Sequence, residues 1–285
     1  MTSLLSQTTI AIFGLGLMGG SLALGLHGKC ARIIGVDPDS ETCHLAQAHN
    51  VTDLASTTPT GFVDQAGLVI LAAPVRGILT LIEQLPRLHP GSPVVLDLGS
   101  TKMEICHALE NLPDRFDPIG GHPMCGKETS GLANADPAIF QGAAFALTPL
   151  SRTRERARTL AREVAIALGA HPIWLDAATH DEWVAHTSHL PYLLAAALAH
   201  ATPEETAPLT GSGFRSTARL AGSSPHMMSD VLMTNRAPIL RALARFRASL
   251  DQLETQLRDN DPSLKTTLTE AQIRRQMLEK VKSAS

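Results

Sequence analysis

A short, almost wholly apolar and β-branched run, Thr8-Thr-Ile-Ala-Ile-Phe13, passes straight into Gly14-Leu-Gly-Leu-Met-Gly-Gly-Ser21 and then into the helical pattern of Leu22-Ala-Leu-Gly-Leu26. A run without polar alternation marks a strand buried on both faces, as in a parallel sheet covered by helices. Glycines directly behind it permit a tight turn and the close approach of a phosphate, whose charge meets the free N–H groups of the next helix. Strand, Gly-x-Gly-x-x-Gly and helix in that order predict a dinucleotide-binding α/β domain. Gly14, Gly16, Leu17, Met18 and Gly19 are its candidate pyrophosphate contacts.

The next apolar run, Arg32-Ile-Ile-Gly-Val-Asp37, ends on an acid 18 residues beyond Gly19. That is where the second strand of such a fold presents a carboxylate to ribose hydroxyls. Asp37 would repel a 2′-phosphate and no arginine comes closely after it, so NAD is expected rather than NADP. The plainer reading of Asp37 is a turn residue before Pro38. Two further buried-strand candidates, Leu68-Val-Ile-Leu-Ala-Ala-Pro74 and Pro93-Val-Val-Leu-Asp-Leu98, flank a helical pattern of Ile78, Leu81, Ile82 and Leu85. Ligands of open α/β sheets gather beyond the carboxyl ends of strands, which makes Ala73 and Pro74 candidate cofactor contacts. By the same rule Ser100, just past the other strand, either hydrogen-bonds a substrate or caps a helix starting near Thr101.

The stretch Ile119-Gly-Gly-His-Pro-Met-Cys-Gly-Lys-Glu-Thr-Ser-Gly131 reads as a loop. Gly120 and Gly121 would let the backbone approach another body, Pro123 would stiffen the residues after it, and His122 would be held against a ligand. Phe145-Ala-Leu-Thr148, a helix over 155–168 and His171-Pro-Ile-Trp-Leu-Asp176 complete the alternation. They give a first domain over 1–176, of the Rossmann type with a doubly wound sheet.

From Ala177 the pattern is helical, giving a second, all-α domain over 177–285. A helix over 181–201 carries Ser188, His189 and Pro191, with a kink expected near His189. Arg215 and Arg219 fall one helical turn apart, suited either to a carboxylate or to exposed salt bridges. Ile239, Leu243, Phe246, Leu250, Leu253 and Leu257 alternate spacings of four and three, a coiled-coil-like stripe that predicts a homodimer.

A chain of 285 residues, 44% hydrophobic, is long enough for two domains with full cores. A net charge of −3 and a pI near 6.4 give no basic surface for nucleic acid or for electrostatic attachment to a membrane. No apolar run approaches a membrane span, and the start of the chain lacks a basic segment and a cleavage site, so the cytoplasm is the expected compartment. Cys30, Cys43, Cys106 and Cys125 are scattered and read as reduced thiols, with Cys125 a packing residue rather than a nucleophile. His180, His186 and His189 invite a zinc reading, but no Cys or His-Glu-x-x-His pattern supports it, and no metal is expected.

Taken in order, Gly14-Leu-Gly-Leu-Met-Gly-Gly-Ser21, Asp97-Leu-Gly-Ser-Thr-Lys102, Gly121-His-Pro-Met-Cys-Gly126, Ser188-His-Leu-Pro191 and Gly213-Phe-Arg-Ser-Thr-Ala-Arg219 resemble the prephenate and arogenate dehydrogenase family. The resemblance covers about the first 220 residues, and the leucine-rich remainder suits that family's helical dimerisation domain. It implies oxidative decarboxylation of a cyclohexadienyl acid with NAD, in aromatic amino acid biosynthesis. It also implies His122 as proton acceptor, Ser100 as its orienter or that of the ring substituent, His189 as a substrate contact and Arg219 as holder of a substrate carboxylate. Tyr192 stands where many members have a second histidine, Ser216 replaces an acid, Cys125 replaces alanine and Met228 falls where some members carry tryptophan. Tyr192 and Ser216 are therefore expected to shape the substrate site, and 4-amino-4-deoxyprephenate joins prephenate and arogenate as a candidate.

Two rivals remain. The β-hydroxyacid dehydrogenases resemble this chain in their glycine motif and order of domains but use a lysine of the helical domain, and no lysine occurs between Lys127 and Lys265. A non-catalytic NAD-binding protein would leave His122, Ser100 and Arg219 without a shared purpose.

Overall fold

The computed structural model describes residues 3–283. After a 3-10 turn at Leu5–Gln7, β1 (Thr9–Phe13), α1 (Leu17–Leu26), β2 (Arg32–Val36), α2 (Ser40–Ala48) and β3 (Leu54–Ser56) come in turn. Then come β4 (Leu68–Leu71), α3 (Val75–Leu88), β5 (Val94–Asp97), α4 (Met103–Glu110) and β6 (Asp117–Pro123). β7 (Ala144–Pro149), α5 (Glu155–Ala167) and β8 (His171–Trp174) complete one eight-stranded sheet in the order β3-β2-β1-β4-β5-β6-β7-β8. All neighbours are parallel except β6 and β7. The chain crosses over between β1 and β4, and it is at such a switch point that an open sheet leaves a crevice for a ligand.

The strands of the sheet's centre are apolar along their length because both faces are covered. Ile10, Ile12, Leu68 and Ile70 pack with Leu22 and Leu26 of α1 and Leu160 and Val164 of α5. The alternate residues Ala11, Phe13, Val69 and Leu71 pack on the other face with Ile78, Ile82 and Leu85 of α3 and Ile105 and Leu109 of α4. β3, three half-buried residues, carries too little pattern to be read from sequence.

One expectation is corrected. His122 does not sit in a loop: residues 117–123 form β6, fully buried and paired on both sides. Gly121 is a strand residue against its neighbour, where a Cβ would lie 2.7 Å from the Asp97 carbonyl oxygen. The body that the paired glycines approach is the protein itself.

Beyond the sheet, α6 (Ala177–Val184) runs through a π-helical turn, Ala185–His189, into α7 (Leu190–Ala201). Pro191 has no N–H to give, and the ladder widens just before it, with the Leu190 N–H reaching back to the Ala185 carbonyl. The expected disturbance at His189 is thus a π-turn. The remaining helices are α8 (Ser212–Ala218), α9 (Pro225–Thr234), α10 (Arg236–Arg258) and α11 (Leu264–Ser283). By compactness the chain forms two units, 1–236 and 237–285, so the helices from α6 to α9 belong with the sheet. The second unit is a pair of helices joined at Gln256, whose Nε2 donates to Ser263 Oγ at 2.9 Å and Thr267 Oγ1 at 3.0 Å. Among the described residues no helix is long and apolar enough to cross a membrane.

Candidate active site

The crevice at the switch point is made by β1, the turn into α1 and the end of β4. Gly14 has φ +96°, and a Cβ there would lie 2.5 Å from the Ala72 carbonyl oxygen. Gly19 packs so tightly that a Cβ would stand 1.9 Å from the Gly14 carbonyl oxygen. Gly16, the residue before the first turn of α1, has nothing within 4 Å of its Cβ position. That open space before a helix N-terminus is where a pyrophosphate fits. Leu17 and Met18 send their side chains into the packing, so their share in a cofactor site is backbone N–H. Ala73 borders the Gly14 turn, its nitrogen 3.4 Å from that Cβ position, and Pro74 opens α3 beside it. Asp37 closes the crevice at the end of β2. Its Oδ2 accepts from the Leu15 N–H at 2.8 Å, which ties the carboxylate to the glycine turn, and Oδ1 accepts from the Asp39 N–H at 3.0 Å.

Past the ends of β5 and β6 lies a second cluster, almost wholly dry. His122, near the end of β6, has its Nδ1 2.9 Å from His180 Nε2, and His180 Nδ1 lies 2.8 Å from Asp181 Oδ1. The carboxylate of Asp181 also accepts the backbone N–H groups of Lys102 at 2.7 Å and Met103 at 2.9 Å. It therefore caps α4 from α6, supplying an acceptor for orphan donors at that helix start. Asn235, at the end of α9, donates to the Asp181 carbonyl at 2.7 Å and stands 3.1 Å from His189 Nδ1. His189 is 1% exposed, and among the described residues its Nε2 has no hydrogen-bond partner. Beneath the cluster, Lys102 Nζ pairs with Asp97 Oδ2, both side chains wholly buried. Asp97 also accepts the N–H groups of Gly99 at 2.8 Å and Gly121 at 3.1 Å, joining β5 to β6 just below His122.

Desolvation is the main cause that drives the His122 pKa well below the ordinary 6.5, and the charges of His180, Lys102 and His189 push the same way. Burial likewise lowers His189 to about 4. Both imidazoles are neutral near neutral pH. A neutral imidazole is what a proton acceptor must be.

The predicted residues do not all converge. His122 and His189 are joined through His180, Asp181 and Asn235. Ser100 is half-buried just past the end of β5, and among the described residues its hydroxyl makes no hydrogen bond, so it neither caps α4 nor bonds to the His122 ring. Arg219 lies on the exposed side, paired with Glu128. Ser216 is exposed and donates to its own helix at the Gly213 carbonyl, 3.1 Å away. Tyr192, half-buried, packs on the core face that includes α3 and α9. Sequence reasoning weighed His180 only as a metal ligand and missed Asp181, Asn235 and Glu128 as members of the site. The signal for Asp181 was its place beside His180 on a helix.

A family model described as the prephenate dehydrogenase nucleotide-binding domain matches residues 21–174, and one described as the prephenate dehydrogenase dimerization domain matches 176–270. The chain is 34% identical to a prephenate dehydrogenase of Bacillus subtilis, over 90% of this chain and 71% of that protein. A crystal structure of an Aquifex aeolicus prephenate dehydrogenase, in complex with hydroxyphenyl propionate and NAD+, is 30% identical. It superposes with a TM-score of 0.88, covering 97% of this chain and 100% of that one. A Synechocystis arogenate dehydrogenase, also 30% identical, gives a TM-score of 0.81 over 95% and 99% of the two chains. With the glycine turn, the Asp37 carboxylate and matches across both halves pointing the same way, the chain belongs to the prephenate dehydrogenase family and is an NAD-dependent dehydrogenase.

Proposed function

We propose that the protein catalyses oxidative decarboxylation of a prephenate-like cyclohexadienyl acid to an aromatic product, as a step of aromatic amino acid biosynthesis, with His122 as the base. The observation that carries this reading is the buried pair of neutral imidazoles beyond the strand ends, His122 tethered through Nδ1 and His189 with an Nε2 that meets no hydrogen-bond partner among the described residues. NAD, when bound, supplies the hydride acceptor. Gly16 and the first N–H groups of α1 would hold its pyrophosphate, and Asp37 would take the ribose hydroxyls.

His122 accepts the proton of the substituent on the ring carbon that loses hydride. Hydride leaves that carbon, the bond to the ring carboxylate breaks and CO2 departs, its electron pair completes the aromatic ring, and the proton held on His122 returns to the substituent. His189 meets the substrate through Nε2. Because the Asn235 amide faces His189 Nδ1, that free nitrogen is a donor, suited to a substrate oxygen. Arg219 takes the remaining carboxylate after leaving Glu128, and must orient it without trapping it, since only differential transition-state binding speeds the step. Ser100, Tyr192 and Ser216 are the remaining candidates for shaping the substrate site, on the family resemblance. The functional form is a homodimer through the helical unit, and the cytoplasm is its compartment.

Formation of NADH with NAD and prephenate, arogenate or 4-amino-4-deoxyprephenate in parallel tests the reading. We expect turnover of one of the three and a loss of roughly 10²- to 10⁴-fold in His122→Asn, with NAD affinity retained. The acid limb of kcat should fall below 6.5, because His122 stays neutral until the pH drops past its lowered pKa. Silence with all three acids, or full turnover in His122→Asn, overturns it.

A further inference from the structure

The chain of contacts from Asp181 through His180 to His122 fixes where hydrogens can lie. An ionised carboxylate only accepts, so the 2.8 Å contact requires a hydrogen on His180 Nδ1. A neutral imidazole carries one N–H, which leaves a lone pair on His180 Nε2. Across the 2.9 Å contact, His122 Nδ1 must then be the donor. The lone pair of His122 falls on Nε2.

We infer that His180, held by Asp181, is a positioning residue that keeps His122 in the Nδ1–H tautomer and so makes Nε2 the base. The inference rests on the reading of His122 as proton acceptor. Asp181 is itself immobilised by the two backbone N–H groups at the start of α4, so the orientation is set by the helix and not by a mobile side chain. Protonating His180 would turn both its nitrogens into donors. His122 Nδ1 would then have to accept, its hydrogen would move to Nε2, and the base would vanish. A hydrogen forced onto His122 Nε2 in this way switches the site off. Among the described residues, the charged and titratable groups acting on His122 are His180 from α6, itself paired with Asp181, Lys102 from the β5–α4 connection, itself paired with Asp97 at the end of β5, and His189 from the π-turn.

Histidine-selective 15N NMR of the full-length enzyme, with the His122 signals assigned by their loss in His122→Asn, tests this without substrate. The expected spectrum shows His122 and His180 both as Nδ1–H tautomers; an Nε2–H His122 overturns the inference. Kinetics supply the second arm. His180→Leu should lower kcat about 100-fold, the loss expected of a mispositioned catalytic group, with KM for NAD unchanged. His180→Gln offers an amide oxygen to His122 and an amide N–H to Asp181, and should retain most of kcat. Its acid limb should move to higher pH, because the His180 ring no longer depresses the His122 pKa. Equal losses in both variants with an unmoved limb would reduce His180 to packing. Were no cyclohexadienyl acid turned over, the tautomer would still decide this inference; were His122→Asn active, the base assignment would fail whatever the tautomer.

Discussion

At Gly16, apart from its own chain neighbours, no described atom lies within 4 Å of where a Cβ would stand, whereas at Gly19 one would lie 1.9 Å from a backbone oxygen. The same substitution therefore asks different questions at the two positions. Gly16→Ala should fold with stability changed by no more than about 0.5 kcal/mol, since the added methyl meets no other group, yet bind NAD at least about tenfold more weakly because the methyl takes the phosphate's place. Gly19→Ala should lose roughly 1–3 kcal/mol or more, since backbone must move. Thermal denaturation beside an NAD titration checks both, and unimpaired NAD binding in Gly16→Ala would remove Gly16 from the cofactor site. The glycines and Asp37 were legible because their chemistry is confined to short spacings along one chain segment. His180, Asp181 and Asn235 were not, because each acts on a partner more than 45 residues away and no spacing encodes the meeting.

Elements were legible wherever one pattern ruled a whole segment. The alternation of buried strands and amphipathic helices gave most strands their places, with β3 and the segment at His122 the exceptions. At His122 glycine and proline, the usual signs of a turn, serve a strand squeezed between two neighbours. That strand's end is held by the wholly buried pair of Lys102 and Asp97, whose carboxylate also binds the Gly121 N–H. A buried pair of this kind is weak evidence for stability as such, but breaking it leaves an uncompensated charge. Lys102→Met should thus cost roughly 3–5 kcal/mol in urea unfolding, and the Asp97→Asn change added to it should cost less than the sum of the two. A loss below about 1 kcal/mol would show that water or another cation serves Asp97 as well.

On the scale of the whole chain, the stripe from Ile239 to Leu257 is real as a helix but unevenly used. Ile239 is buried, while Leu250 is 51% and Leu257 is 71% exposed, and on α11 Leu268, Met277 and Leu278 are exposed as well. Sequence periodicity could show that these residues share a face, but it could not show what covers them, since a stripe packs equally well on its own chain or on a second copy. The sequence pattern changes at 176, where helices replace the alternation and where the two matching family models meet; by compactness the chain also parts at 236, since α6 to α9 pack with the sheet and complete the histidine cluster. A helical pair that leaves this many large apolar side chains in water is poorly suited to stand alone. Our dimer reading takes a second copy as the cover. In the double variant Leu250→Glu, Leu257→Glu, carboxylates would have to be buried without partners, so sedimentation should show a monomer at concentrations where the parent protein is a dimer. NAD binding should survive, because the glycine turn and Asp37 lie in the other unit. A parent protein that sediments as a monomer, or a double variant that remains a dimer, would remove this face from the assembly.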